Sequence, residues 1–266
     1  MKHERYFDDV VELFNDQENY WKIRDYEGYI TDVKLKDRTF CHDGCWNTIY
    51  LPFALSTDQL ADADCPLHGA TIKQLKDAWF EDGTLTLTFN DTTAIKAGMP
   101  YIVKWPEGDD VTDPVFKNVT PSSDLNQTFF IKDKDGNRPE NEEDLYFGLL
   151  FTGSWNPSEL TDDIVQTKQL LYMGADSKLY YPTEPMTIGA FQCYFHLYGI
   201  TADDLEENPV KNVVFNFGDE TGITTTNVTN LANEADAWYD LSGRRLNSRP
   251  TTKGIYIQNG RKMMIK

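Results

Sequence analysis

The sequence predicts an all-β protein: an antiparallel β-sandwich, jelly-roll-like, with a small C-terminal β unit. Three observations carry this. Thr84-Leu85-Thr86-Leu87-Thr88-Phe89 alternates strictly between polar and apolar residues, so Leu85, Leu87 and Phe89 share one face of a strand and the threonines the other. Many short apolar segments follow one another at close spacing, with little helix between them. The chain is also rich in aromatic residues and threonine, which favour pleated surfaces.

Residues 1–28 are charged and aromatic and read as an N-terminal extension or the end of an upstream domain. Within them residues 7–15 suit a short amphipathic helix, through Val10, Val11, Leu13 and Phe14, and residues 20–23 a strand. The sandwich is expected over 29–221. Residues 29–40 form its first strand, and His42-Asp43-Gly44 a tight turn into 46–53. Pro52 lacks an amide hydrogen and ends that strand or places it at an edge.

Ser56 with Gln59 three residues on has the form of a capping box and starts a short helix. Residues 70–80 and 84–89 make a hairpin about the Asp82-Gly83 turn. Further strands are expected at 101–105, 115–119, 128–131, 145–152, 170–173, 179–181, 189–199 and 210–217. Residues 106–113 are an acidic loop, and 132–144 the most polar stretch. Residues 222–236, rich in Thr and Asn, read as a linker. Residues 237–266 form a separate, locally basic unit of three short strands, with hairpin turns at Ser242-Gly243 and Asn259-Gly260.

The 266 residues suffice for one large domain or two small ones. Forty-three acids against 25 bases give a net charge of −18. Phosphate binding needs basic clusters, so nucleic acid is not an expected partner, and anionic lipid is disfavoured. No apolar run has the length of a membrane span, and residues 1–9 lack the apolar core of a signal peptide.

Four cysteines stand at 41, 45, 65 and 193. Cys41, Cys45 and Cys65 are disulfide candidates, and spacing does not choose among the pairings. The same three with His68 have the residue types of a zinc site, and buried free thiols are the third reading. Cys193 lies in an aromatic strand and reads as core.

Asp133, Asp135 and Asn137 fall at alternate positions, with Asp144 at the twelfth place of a calcium-type loop. Arg138 stands where that loop needs glycine, so the competing reading is an Asp-Gly turn. Ca²⁺ is the cofactor that this loop would hold. Glu142-Glu143-Asp144, Asp162-Asp163 and Asp203-Asp204 look like exposed charge runs rather than catalytic pairs. No nucleophile elbow or phosphate loop is present. His196 shares a strand face with Tyr194 and Tyr198 and reads as a hydrogen-bonded histidine at a sheet surface. Aromatic rings at strand ends can stack on sugars; Trp105, Trp155, Tyr180 and Tyr181 are the candidates, with core packing as the alternative.

Two stretches carry a family resemblance. Tyr239-Asp240-Leu241-Ser242-Gly243-Arg244, Lys253-Gly254-Ile255-Tyr256 and residues 262–266 resemble the tail of the Bacteroidetes type IX secretion (Por system) sorting domain. The body resembles a β-rich module of secreted and surface Bacteroidetes proteins, through WNTIYLPF at 46–53, AGMPYIVKW at 97–105 and NFGDETGI at 216–223. The resemblance implies an extracellular or outer-membrane location, a chain that has lost its leader or an upstream domain, and no assigned reaction. The expected function is that of a non-enzymatic surface module contacting a glycan or a cell-surface protein. The alternatives are a jelly-roll carbohydrate-active enzyme and a structural spacer.

Overall fold

The computed structural model describes residues 9–199, 210–218, 223–227, 238–240, 245–246, 250–258 and 261–265. In chain order the elements begin with β1 (Val10–Phe14), α1 (Tyr20–Asp25), β2 (Thr31–Lys36), β3 (Thr39–Phe40), β4 (Asn47–Tyr50) and α2 (Thr57–Ala61). Then come β5 (Thr71–Glu81), β6 (Thr84–Asp91), β7 (Pro100–Lys104), β8 (Val111–Thr112), β9 (Val115–Val119), β10 (Thr128–Lys132) and β11 (Phe147–Gly153). β12 (Ser158–Leu160), α3 (Asp162–Thr167), β13 (Leu170–Met173), β14 (Leu179–Tyr180), β15 (Met186–Ile188) and β16 (Cys193–Tyr198) follow. The last are β17 (Asn212–Asn216), β18 (Ile223–Asn227), β19 (Trp238–Tyr239), β20 (Arg245–Leu246), β21 (Gly254–Gln258) and β22 (Arg261–Ile265).

The expected all-β sandwich is what forms. A six-stranded sheet, in the order β18-β17-β6-β5-β7-β4, faces a five-stranded sheet, β10-β11-β16-β13-β14. Leu85, Leu87 and Phe89 of β6 are all fully buried, while the threonines between them are partly open. Burying each of the three is worth roughly 2 kcal/mol. The β5–β6 hairpin closes through Asp82 and Gly83, both at positive φ, the two-residue turn whose twist suits flanking strands. Across the layers Phe89 meets Phe151 edge-on at 6.4 Å, and Phe80 stacks on Phe147 at 6.3 Å. A smaller sheet, β1-β2-β9, joins the same core: Phe116 of β9 packs on Phe40 and Phe53. Ser56 and Gln59 form the expected capping box on α2.

The first thirty residues correct the expectation. Residues 10–14 are a strand and not a helix, and residues 20–25 a helix and not a strand. Val11 and Leu13 are buried because β1 pairs in parallel with β2, and that pairing outweighs local periodicity. The N-terminus of α1 is capped from a distant part of the chain: Asn156 Oδ1 accepts from the amides of Asn19 and Tyr20. Described residues before 29 therefore belong to the domain core rather than to an extension, with Ile23 buried as well.

The linker expected at 222–236 is corrected in its first part. Residues 223–227 form β18, an edge strand antiparallel to β17, as β-branched threonines allow. Among the described residues antiparallel pairing has two exceptions, β1 with β2 and β17 with β6. The C-terminal unit is a separate sheet of four strands, in the order β20-β19-β21-β22, rather than three. The turns expected at Ser242-Gly243 and Asn259-Gly260 lie outside the described residues.

Candidate functional site

The outer face of the five-stranded sheet is built in rows set by its register. Phe129 of β10 stands opposite Leu150, Leu150 opposite His196, and His196 opposite Leu170. The next row runs from Ile131 through Gly148 to Tyr198, and the row on the other side from Thr152 through Tyr194 and Tyr172 to Tyr180. Part of this face is roofed. Leu160, Ile188, Ile164 and Met186, from β12, β15 and α3, pack on Leu170, Tyr172, Tyr180 and Tyr194 as a second small core. The rest is a ledge: Phe129 is 50% exposed, and Leu150, His196 and Tyr198 are half-buried.

On the ledge the Phe129 and Tyr198 rings meet edge to face at 5.7 Å. The Tyr198 hydroxyl and His196 Nδ1 share a hydrogen bond of 2.6 Å. Burial lowers the His196 pKa below its ordinary value and raises that of Tyr198, so a neutral imidazole and a protonated phenol form the pair near neutral pH. In the Nε2–H tautomer the phenol donates to Nδ1, and Nε2–H is left as a donor for a ligand. An apolar aromatic platform with a polar edge suits the C–H face and hydroxyls of a sugar ring. Sequence alone placed His196 with Tyr194 and Tyr198, but it gave no signal for Phe129 or Leu150, which join the ledge only through the β10–β11–β16 register.

Beyond Tyr198 the ledge runs toward a groove of about 1050 Å³, lined by Phe80, Leu145, Tyr146, Gly199 and the loop that joins β10 to β11. Asp133, Asp135, Asn137 and Asp144 all line it. They do not converge on a calcium site, and among the described residues no three His, Cys, Asp or Glu side chains are placed to hold a metal ion. Asp133 Oδ1 instead accepts from the amides of Asp135 and Asn137, at 2.9 and 2.8 Å, closing the Asp-Gly turn. Asp144 accepts from Asn141.

The four aromatic candidates are corrected from exposed platforms to core residues: Trp105, Trp155, Tyr180 and Tyr181 are all buried. Trp105 stacks between Phe40 and His42 and donates to the His68 carbonyl. Trp155 stacks on Tyr20. Tyr180 donates to Asp176 at 2.6 Å, and Tyr181, pushed up to about 12 by burial, accepts from the Val210 amide. A side chain packed on both faces offers no ring to a sugar, and in a sandwich large aromatics fill the space between layers.

For the cysteines the disulfide and zinc expectations are corrected, while the free-thiol reading and the core placement of Cys193 hold. Cys41, Cys45, Cys65 and Cys193 are all free thiols. The 41–45 turn is closed by an amide instead: Asn47 Nδ2 donates to the Cys41 and Cys45 carbonyls, and its Oδ1 accepts from the Cys41 amide. Cys65 lines a separate recess of about 140 Å³ with Leu55 and Phe116, where burial raises its pKa, and His68 is exposed.

Several carboxylates are held below their ordinary range. At Glu27 and Asp64 hydrogen bonds to Ser123 and Lys117 do this. At Asp113 and Asp176 burial, which raises, is outweighed by hydrogen bonds from Lys36 and Tyr180. Glu142, Glu143, Asp162 and Asp163 are exposed, and Asp203 and Asp204 lie outside the described residues. No helix among the described residues is long and apolar enough to cross a membrane.

Fold and site together define an all-β sandwich with an open aromatic ledge beside an acid-rimmed groove. Comparison of the chain with family models, with curated proteins and with solved structures gives no match.

Proposed function

We propose that this chain is a non-enzymatic binding module of an exported or cell-surface protein, and that it contacts a glycan through the ledge. The observation that carries the reading is Phe129, half open to solvent and braced edge-on by Tyr198, whose hydroxyl is in turn tied to His196. A fixed ring beside neutral hydrogen-bonding groups loses little entropy on binding. The export half of the proposal rests on the resemblance of the C-terminal segments to a sorting domain.

The test is a glycan array followed by calorimetry with the best soluble oligosaccharide. Phe129→Ala weakens binding at least tenfold with unfolding unchanged. Equal binding by this variant, or an array with no signal, overturns the reading. A carbohydrate-active enzyme is favoured by one feature, the His196–Tyr198 pair standing next to a carboxylate-rimmed groove. Release of reducing ends that His196→Ala abolishes, while oligosaccharide binding survives, moves the assignment to that enzyme.

A further inference from the structure

The charge of this chain is divided unevenly. Residues 237–266 hold seven of its 25 bases and only one of its 43 acids, Asp240, so this unit carries +6 and the rest of the chain −24. β22 is the end strand of the C-terminal sheet. Its neighbouring residues Met263 and Met264 are 41% and 67% exposed. Consecutive side chains on a strand point to opposite faces, so β22 is open on both. A single-layer sheet of four short strands needs a cover, and an end strand with one unpaired backbone edge invites pairing.

From this we infer that β22 is an interaction surface whose partner is the acidic body of a second copy of this chain. The receiving recess is the groove beside the ledge. Its floor includes Phe80, Leu145 and Tyr146, and its rim is acidic on balance, with six carboxylates, Glu140, Glu143 and Asp144 among them, against Lys134 and Arg138. The argument for this occupant is charge complementarity: Arg261 and Lys262 open a strand whose next two residues are methionines, matching an apolar floor with a carboxylate rim. Met264 is open to solvent, and no described residue of the C-terminal sheet lines the groove. Two copies that exchange these contacts reciprocally form a closed two-fold dimer.

The experiment is sedimentation equilibrium of the full chain at about 50 mM and about 500 mM salt, since screening weakens exposed charge contacts. The mass of two chains at low salt, falling to that of one chain at high salt, is the expected result. Glu143→Lys with Asp144→Lys, both on the exposed rim, gives a single chain at low salt, as does Arg261→Glu with Lys262→Glu. An equimolar mixture of the two variants restores the two-chain mass. Circular dichroism of each variant controls for folding, and Met264→Asp provides an independent break if the Arg261 and Lys262 changes disturb the sheet. A single chain at both salts, or a dimer indifferent to these substitutions, overturns the inference. So does a contact made within one chain, seen as salt-dependent compaction without a change of mass.

Discussion

His196 and Tyr198 lie two residues apart on β16, on the same face, and their side chains share a 2.6 Å hydrogen bond. Burial holds the imidazole pKa below its ordinary value of 6.5. An unfolded chain therefore takes up a proton at His196 at a higher pH than the folded chain does. Stability is unaffected well above pH 6.5 and falls as the pH drops from there toward the folded-state pKa. Urea unfolding at pH 7.5, 6.5 and 5.5 shows this loss, and His196→Gln removes that part of it. Tyr198→Phe costs about 1 kcal/mol at pH 7.5 by deleting the hydrogen bond. A pH profile identical in wild type and His196→Gln contradicts the assignment.

Gly98 makes the tightest backbone approach among the described glycines. Its φ is +62°, and a Cβ there would stand 2.0 Å from the Asp124 carbonyl oxygen. Its amide donates to Leu51, and its carbonyl accepts from Asn126, so it ties the end of the β4 segment to the loop before β10. Gly98→Ala combines a left-handed conformation with a backbone clash and is expected to cost about 3 kcal/mol. A change below about 1 kcal/mol in equilibrium unfolding shows that the loop gives way at little cost.

The thiols make a chemical prediction. Unfolded without reductant, the chain titrates four thiols with a disulfide-exchange reagent, because all four cysteines are free. In the native state Cys193 does not react: it is buried, its Sγ donates to the Ile49 carbonyl, and burial raises its pKa far above the ordinary thiol range. A count of two on unfolding reveals a disulfide and refutes this.

Where side-chain period and burial agree, local pattern was enough. The alternation at 84–89, the Asp82-Gly83 turn and the Ser56–Gln59 capping box were all readable because each is decided by residues within a few positions of one another. The first thirty residues were not. Val10 to Phe14 suit a helix or a strand, and the choice was made by β2 alongside. Trp105, Trp155, Tyr180 and Tyr181 have the composition of an exposed platform, and neighbours far along the chain buried them.

The chain's own order of residues settled that extended, two-faced segments would stack in layers, that the body would be acidic, and that the last thirty residues would be basic. Tertiary structure alone decided that Phe129 stays open. Phe129 reaches Tyr198 only because β10 and β16 flank the same strand, β11, in one register, and because β12, β15 and α3 roof the neighbouring rows and stop short of it. Local pattern states which way a side chain points, whereas its exposure depends on what distant strands bring to cover it.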